Sequence, residues 1–235
     1  ASPGKVYIVG AGPGDPGLIT LKAMRLIGEA DVIVYDHLVN QRILRYAQTR
    51  AILIDAGKQA GHRMLEQGEI NLLLVKEARR GRTVVRLKGG DPFIFGRGGE
   101  ECEALAVRGI PFEVVPGVTS AVAAPAYAGI PLTHRACASS VALVTGHEDP
   151  AKKTGMVDLQ KLARAVDTLV CLMGVGTMDQ MVRELQAGGA RPDMPVAVIE
   201  QGTYPHQRVV EGTLGTIIPR VKLKHIRPPA VMVVG

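Results

Sequence analysis

The chain has 235 residues, of which 46% are hydrophobic and 21% charged, enough for one large domain or two small ones with their own cores. No apolar run approaches the roughly 20 residues that cross a membrane, and the first residues lack the pattern of a secretory signal, so we expect a cytoplasmic protein without membrane contact. The cysteines Cys102, Cys137 and Cys171 are dispersed without CxxC spacing, which argues against a zinc site or a disulfide framework.

The charge balance is basic, with 28 Lys and Arg residues against 22 Asp and Glu residues and a formal net charge of +6. Such a surplus favours anionic partners. Nucleic acid is one candidate, although aromatic residues are only 3% of the chain and Trp is absent, so stacking platforms are scarce. A small molecule with several carboxylates explains the same surplus.

The first elements in chain order predict a βαβ unit. An apolar strand at 6–10 runs into a loop rich in glycine and proline at 10–17, followed by a helical segment at 18–28 and a second strand at 31–36. Units of this kind place ligands at the carboxyl ends of their strands. A dinucleotide fingerprint would need a third glycine where Asp15 stands and a backbone N–H where Pro13 stands. The loop therefore favours a ligand with an adenosine but no phosphate.

Strands and helices continue to alternate along the chain, which is typical of parallel sheets. Further strands are predicted at 51–56, 83–88, 112–116, 141–145, 168–173, 196–200 and 230–234, and the alternating segment 208–214 predicts a half-exposed antiparallel strand. We expect an α/β protein with two domains, 1–116 and 117–235, mainly parallel sheets and a ligand cleft between the domains.

Three further loops carry candidate chemistry. In the loop after the strand at 83–88, Gly89 and Gly90 allow a flat ligand to approach the backbone, and Asp91 can accept from ribose hydroxyls. Thr119 or Ser120 either contributes to a site or simply caps the helix that follows.

The last of these loops pairs a histidine with an arginine. Arg135, beside His134, suits a bidentate grip on a carboxylate, or is simply solvated at the surface. The sequence leaves both interpretations open.

Together these four loops, in this order, resemble the uroporphyrinogen-III C-methyltransferases within the tetrapyrrole methylase family. The segments that match them further are 34–39, 57–58, 145–147, 172–174 and 228–230, and the resemblance spans about residues 4–235. Each motif is weak alone, whereas the ordered set is specific.

The resemblance implies a homodimer of two-domain chains that binds S-adenosylmethionine, releases S-adenosylhomocysteine and needs no metal. It implies methylation of uroporphyrinogen III at C2 and then C7, giving precorrin-2 by way of precorrin-1 for sirohaem, cobalamin and haem d1 synthesis. The partner would be this small tetrapyrrole, with no nucleic acid. The implied cofactor-binding residues are Pro13, Gly89, Gly90, Asp91, Ile94, Thr119, Ser120, Met173, Gly202 and Ala230.

The resemblance also implies catalytic roles for Asp36 and Lys58. Methylation leaves positive charge on the pyrrole ring, and Asp36 can accept the proton whose loss relieves it, directly or through water. A carboxylate satisfied by nearby N–H groups, or one that binds a ribose, is the other interpretation of Asp36. Lys58 either donates a proton or neutralises a substrate carboxylate.

Uroporphyrinogen carries eight carboxylates, and the candidates to bind it are Arg97, Arg135 and Glu100. Glu100 either orients an arginine or accepts a pyrrole N–H. Two rival functions stay open. One is a sister methylase that acts on a corrin ring or on another substrate such as ribosomal RNA. The other is an NAD-binding oxidoreductase or regulatory nucleotide-binding module, against which Pro13 and the missing third glycine argue.

Overall fold

The structure, a computed structural model, describes residues 3–57, 65–147 and 157–235. Contacts within the chain divide it into two compact units, with the division between Thr119 and Ser120. The sequence places this boundary after Pro116. Each unit holds one five-stranded sheet covered by helices.

The first unit is built on a parallel sheet. Its strands are β1 (Val6–Gly10), β2 (Val32–Tyr35), β3 (Ile52–Asp55), β4 (Val84–Lys88) and β5 (Phe112–Val115). Its helices are α1 (Leu21–Glu29), α2 (Gln67–Arg79) and α3 (Gly98–Ala106), with short 3-10 helices at Pro16–Leu18 and Gln41–Tyr46. The strand order is β3-β2-β4-β1-β5, and every pair among the described residues is parallel. The carboxyl ends of all five strands therefore lie at one edge.

Alternation along the strands explains how both faces of this sheet are buried. Val84 shares one face with the core formed by α2 and α3, where Leu74 is fully buried. Val85 points to the opposite face, where it belongs to the same cluster as Ile27 of α1. Thr20 caps the N-terminus of α1 through its hydroxyl oxygen. The result is a rigid platform for the loops at the carboxyl edge.

The second unit is a mixed sheet. Its strands are β6 (Val141–Thr145), β7 (Thr168–Leu172), β8 (Pro195–Glu200), β9 (Arg208–Thr213) and β10 (Ala230–Val234), in the order β6-β7-β10-β8-β9. Its helices are α4 (Ser120–Tyr127), α5 (Leu159–Ala165), α6 (Met178–Ala187) and α7 (Ile217–Leu223). The larger cluster of the core packs against α5, α6 and α7, and a smaller one packs against α4.

The predicted α/β class is confirmed, but the prediction of mainly parallel pairing holds for the first sheet only. In the second sheet, within the described residues, β6 and β7 pair in parallel, whereas β10 is antiparallel to both β7 and β8, and β8 is antiparallel to β9. The connection from β8 to β9, residues 201–207, is too short for the crossover that a parallel pair requires. The predicted antiparallel strand at 208–214 is confirmed as β9.

Candidate functional site

Three loops at the carboxyl edge of the first unit approach each other through glycine. A Cβ placed on Gly10 would lie 2.6 Å from the carbonyl oxygen of Gly90, and one placed on Gly117 would lie 2.3 Å from that oxygen. Side chains essentially never tolerate such distances, so the loops after β1, β4 and β5 meet this closely because these positions carry no side chain.

The loop after β1 is held by backbone hydrogen bonds and offers few donors to a phosphate. The amide of Gly90 donates to the carbonyl of Gly12 at 2.7 Å, and Gly12 returns a bond at 3.2 Å. The side-chain amide of Asn40 donates to the carbonyl of Gly14 at 2.7 Å. Pro13 and Pro16 have no N–H to donate. A ligand that lacks a phosphate stays a prediction for this loop.

The loop after β4 brings Asp91 to the same edge. Its carboxylate accepts the backbone N–H of Phe93 at 2.8 Å and that of Gly117 at 3.0 Å. Asp91 therefore ties its own loop to the loop after β5, and its contact with a ribose remains a prediction. Gly89 and half-buried Ile94 lie in the same segment.

Arg97 and Glu100, both predicted to bind substrate, pair with each other. Arg97 immediately precedes α3, and its Nε and Nη2 donate to the two carboxylate oxygens of Glu100 at 2.8 and 2.7 Å. Both side chains are exposed. The fork holds the guanidinium in one orientation, as expected if Glu100 orients the arginine.

Asp36 lies directly after β2, beside the end of β4. Its backbone N–H donates to the carbonyl of Leu87 at 3.1 Å, and 32% of its side chain is exposed. The carboxylate is thus partly accessible to solvent and partly packed against buried residues. The second catalytic candidate, Lys58, lies outside the described residues.

A buried group of charges behind Asp36 was missed in the sequence analysis. Arg86 and Lys88, on β4, and Glu101, on α3, have only 1%, 3% and 0% of their surface exposed. Arg86 contacts both Asp36 and Glu101, and Lys88 lies 3.1 Å from Glu101. Burial lowers the pKa of Arg86, but the carboxylates of Asp36 and Glu101 outweigh this effect and raise it overall. The signal in the sequence was the pair of cations two residues apart in an apolar strand.

Thr119 and Ser120 stand where the two units join in the chain. Ser120 is the first residue of α4, so Thr119 immediately precedes that helix. Ligand binding by this pair stays a prediction.

The second unit collects its predicted cofactor residues at one edge of its sheet. Met173 follows β7 and Gly202 follows β8, while Ala230 begins the antiparallel strand between them. The Met173 side chain is 50% exposed. A Cβ on Gly202 would lie 2.4 Å from the Cβ of Ala124, so a glycine lets α4 pack here. Met173, Gly202 and Ala230 therefore lie at the same edge of the second sheet.

Backbone strain marks the same loops. Among the described residues, six non-glycine residues have a positive φ, and five of them follow the strands β4, β7 and β8: Phe95, Arg97, Met173, Gln201 and Thr203. Such conformations are costly and persist where the surrounding structure imposes them, often at ligand-binding sites.

Arg135 lies in an exposed turn of the second unit. The backbone of His134 forms an isolated bridge with Ala138, and Arg135 stands within that turn. Its guanidinium is accessible to an anion from solvent. In the described ranges, no group of three or more His, Cys, Asp or Glu side chains is arranged to hold a metal ion.

Comparison with known proteins identifies the family. The sequence matches the family model described as Tetrapyrrole (Corrin/Porphyrin) Methylases over residues 5–218. The chain belongs to the tetrapyrrole methylase family. The predicted family, the α/β fold class and the assignment as a methyltransferase are therefore confirmed.

This tetrapyrrole methylase has similar relatives of nearly the same length. A uroporphyrinogen-III C-methyltransferase of Methanocaldococcus jannaschii is 53% identical over 233 residues, which cover 99% of this chain and 96% of the relative. An S-adenosyl-L-methionine-dependent uroporphyrinogen III methyltransferase of Methanosarcina barkeri is 53% identical over 99% of this chain and 91% of its own.

A solved structure extends the similarity to three dimensions. The uroporphyrin-III C-methyl transferase of Thermus thermophilus, complexed with S-adenyl homocysteine, matches the methylase with a TM-score of 0.83 and 45% identity. The match covers 99% of this chain and 92% of that one. Within the described part of the chain, no helix is both long and apolar enough to cross a bilayer.

Proposed function

We propose that this tetrapyrrole methylase transfers methyl groups from S-adenosylmethionine to uroporphyrinogen III, at C2 and then at C7, to give precorrin-2 through precorrin-1. The observation that carries the proposal is the 53% identity, over almost the whole chain, to relatives named for this activity. The precorrin-2 would feed sirohaem, cobalamin and haem d1 synthesis. We also propose a homodimer, which sedimentation velocity would test.

The residue types of the candidate loops, taken unit by unit, suit a methyl donor that carries an adenosine and no phosphate. S-adenosylmethionine supplies an electrophilic methyl group on a sulfonium centre. The glycine backbone of the loop after β4 allows close approach, and the loop after β1 places two prolines where a phosphate would need N–H donors. In the second unit, the exposed thioether of Met173 adds a soft, uncharged contact. The residues proposed to hold the donor are Pro13, Gly89, Gly90, Asp91, Ile94, Thr119, Ser120, Met173, Gly202 and Ala230.

Asp36 is proposed as the proton acceptor. The carbon that is methylated already carries a side chain, so it becomes quaternary when the C–S bond of the donor breaks and the new C–C bond forms. Positive charge is then left on the ring system, and loss of a proton from elsewhere on the macrocycle, a ring nitrogen or a bridging carbon, relieves that charge. Asp36 is exposed enough to receive this proton directly or through one water, and it is anchored from behind by Arg86. Lys58 is proposed as the proton donor.

The carboxylates of the macrocycle are proposed to bind arginine. The Arg97 side chain is exposed, and its guanidinium, held by Glu100, can meet a carboxylate in a fixed orientation. Arg135 is proposed to bind a second carboxylate. Both contacts would contribute mainly to substrate affinity.

The direct test is incubation with methyl-labelled S-adenosylmethionine and uroporphyrinogen III, with methyl groups counted on the tetrapyrrole by mass spectrometry. Two added methyl groups, with a singly methylated species at early times, support the proposal. Binding of S-adenosylhomocysteine without transfer to uroporphyrinogen III would indicate a sister methylase. Thermal stabilisation by NADH and none by S-adenosylhomocysteine would refute the methyltransferase assignment; a ligand at 100 times its Kd stabilises by about 2.7 kcal/mol.

A further inference from the structure

Three buried charged side chains stand behind Asp36 in the interior of the first unit: Arg86, Lys88 and Glu101, here called the buried charge cluster. All three are at least 97% buried. Burying charges is expensive, and well-packed apolar residues in the same space often give equal or greater stability. Stability alone therefore does not account for the cluster.

One carboxylate oxygen of Glu101 accepts hydrogen bonds from both cations of the cluster. Its Oε1 accepts from Arg86 Nε at 2.9 Å, from Lys88 Nζ at 3.1 Å and from the side-chain amide of Gln67 at 3.2 Å. Its Oε2 is buried and, in the part of the chain that is described, has no hydrogen-bond partner. A buried carboxylate oxygen without a partner is rare in native proteins and needs an explanation.

The two cations that hold Glu101 also face Asp36. Arg86 Nη2 contacts Asp36 Oδ1, and Lys88 Nζ lies 3.7 Å from Asp36 Oδ2. Two carboxylates thus share two cations, and the group is neutral when all four are charged. When Asp36 takes up a proton, one positive charge is left unbalanced. Without the charge of Glu101, two would be unbalanced, at a higher electrostatic cost in this dry environment.

We propose that Glu101 is a positioning residue for the methyl transfer: it holds Arg86 and Lys88 so that Asp36 is correctly oriented and can accept a proton. This inference rests on the proposed function, in which Asp36 is the proton acceptor. Glu101 itself is fully buried and is not proposed to touch the substrate.

Because all three hydrogen bonds go to Oε1, Glu101→Gln is the conservative test. A glutamine can keep its carbonyl oxygen in the position of Oε1, where it accepts all three hydrogen bonds, and place its amide nitrogen in the position of Oε2. The substitution then removes the charge while it keeps the shape and the bonds. Glu103→Gln is the matched control, because it removes the same charge from an exposed position on the same helix.

The expected result is a loss in kcat and not in binding. General base catalysis typically contributes about 10²–10⁴-fold, so partial impairment of Asp36 should lower kcat by roughly tenfold to a hundredfold. We expect the KM for uroporphyrinogen III and the affinity for S-adenosylhomocysteine to stay within about twofold of wild type, as they do in Glu103→Gln. A KM that rises while kcat is unchanged would overturn the proposal.

A double-mutant cycle separates positioning from general structural damage. If Glu101 acts through Asp36, adding Glu101→Gln to Asp36→Asn causes no further loss of the residual single-turnover rate. A loss that persists in the Asp36→Asn background refutes the proposal. If Glu101→Gln does not fold, Glu101→Asp, which withdraws the carboxylate from the two cations by one methylene, is judged by the same rule.

The wild-type rate distinguishes the two levels of inference. If wild type transfers no methyl group to uroporphyrinogen III, the proposed function and this role fall together. If wild type is active and Glu101→Gln turns over at the wild-type rate, only the positioning role is refuted.

Discussion

The close approach of three glycine loops makes Gly117→Ala a demanding test of the site. The new Cβ would lie 2.3 Å from the carbonyl oxygen of Gly90 and 2.7 Å from the Cα of Gly10. Ordinary van der Waals contact begins at 3.4 Å, so the new Cβ would be 1.1 Å too close to the oxygen of Gly90. Both neighbours are backbone atoms, so the loops themselves must move. The φ of Gly117 is not positive, so alanine can adopt its backbone conformation. The cost of the substitution therefore comes from the short contacts of the new Cβ.

Overpacking of this kind costs about 1–3 kcal/mol, and each kcal/mol lowers the Tm by roughly 2–4 °C in a chain of this size. The loop after β5 should move about 1 Å away from the loops after β1 and β4, and displacements of that size cost up to about 10²-fold where geometry is tight. We therefore expect a lower Tm together with at least about tenfold weaker binding of S-adenosylhomocysteine.

Calorimetric titration with S-adenosylhomocysteine and a thermal melt by circular dichroism measure both effects. Gly68→Ala is the control, because a Cβ there meets nothing within 4 Å and alanine favours the helix by roughly 0.5–1 kcal/mol. Wild-type affinity and Tm in Gly117→Ala would refute the reasoning from loop contact. A lower Tm with unchanged affinity would refute the assignment of these loops to the cofactor.

Three other outcomes are expected. Arg97→Lys loses the two-point fork with Glu100 and should raise the KM for uroporphyrinogen III about tenfold with unchanged S-adenosylhomocysteine affinity; equal weakening of both ligands, measured by kinetics and titration, would contradict its role. Hydrogen bonds from two lysines, most strongly Lys22, lower the pKa of Glu113 from 4.5 to about 2, so its stabilisation is complete above pH 4.5 and disappears as the pH falls toward 2. The Tm difference between wild type and Glu113→Gln should shrink over that range in low salt, and a constant difference would count against the ion pairs. Gly202→Ala must displace α4, and melts should show a Tm roughly 2–12 °C lower, whereas an unchanged Tm would contradict the packing found there.

The first unit was largely predictable because its local signals agree. Apolar segments of strand length alternate with amphipathic segments, and each strand ends in a loop rich in glycine. Pro13, Asp36, Asp91 and Thr119 each follow a strand. In a parallel sheet the carboxyl ends of all strands lie at one edge, so these residues are predicted to lie there. The second sheet was harder, since the alternation of strands and helices does not reveal that β10 enters antiparallel between β7 and β8.

The sequence by itself determined the family, the βαβ start and the two prolines that deprive the first loop of N–H donors, because these depend on residue types and spacings within short segments. Only the tertiary structure decided which charges share a site. Arg86 and Glu101 belong to a strand and a helix 15 positions apart, and Asp36 is 50 positions from Arg86. Side-chain charges interact over a few ångströms of space, and that distance exists only once the sheet has assembled and α3 has packed on it.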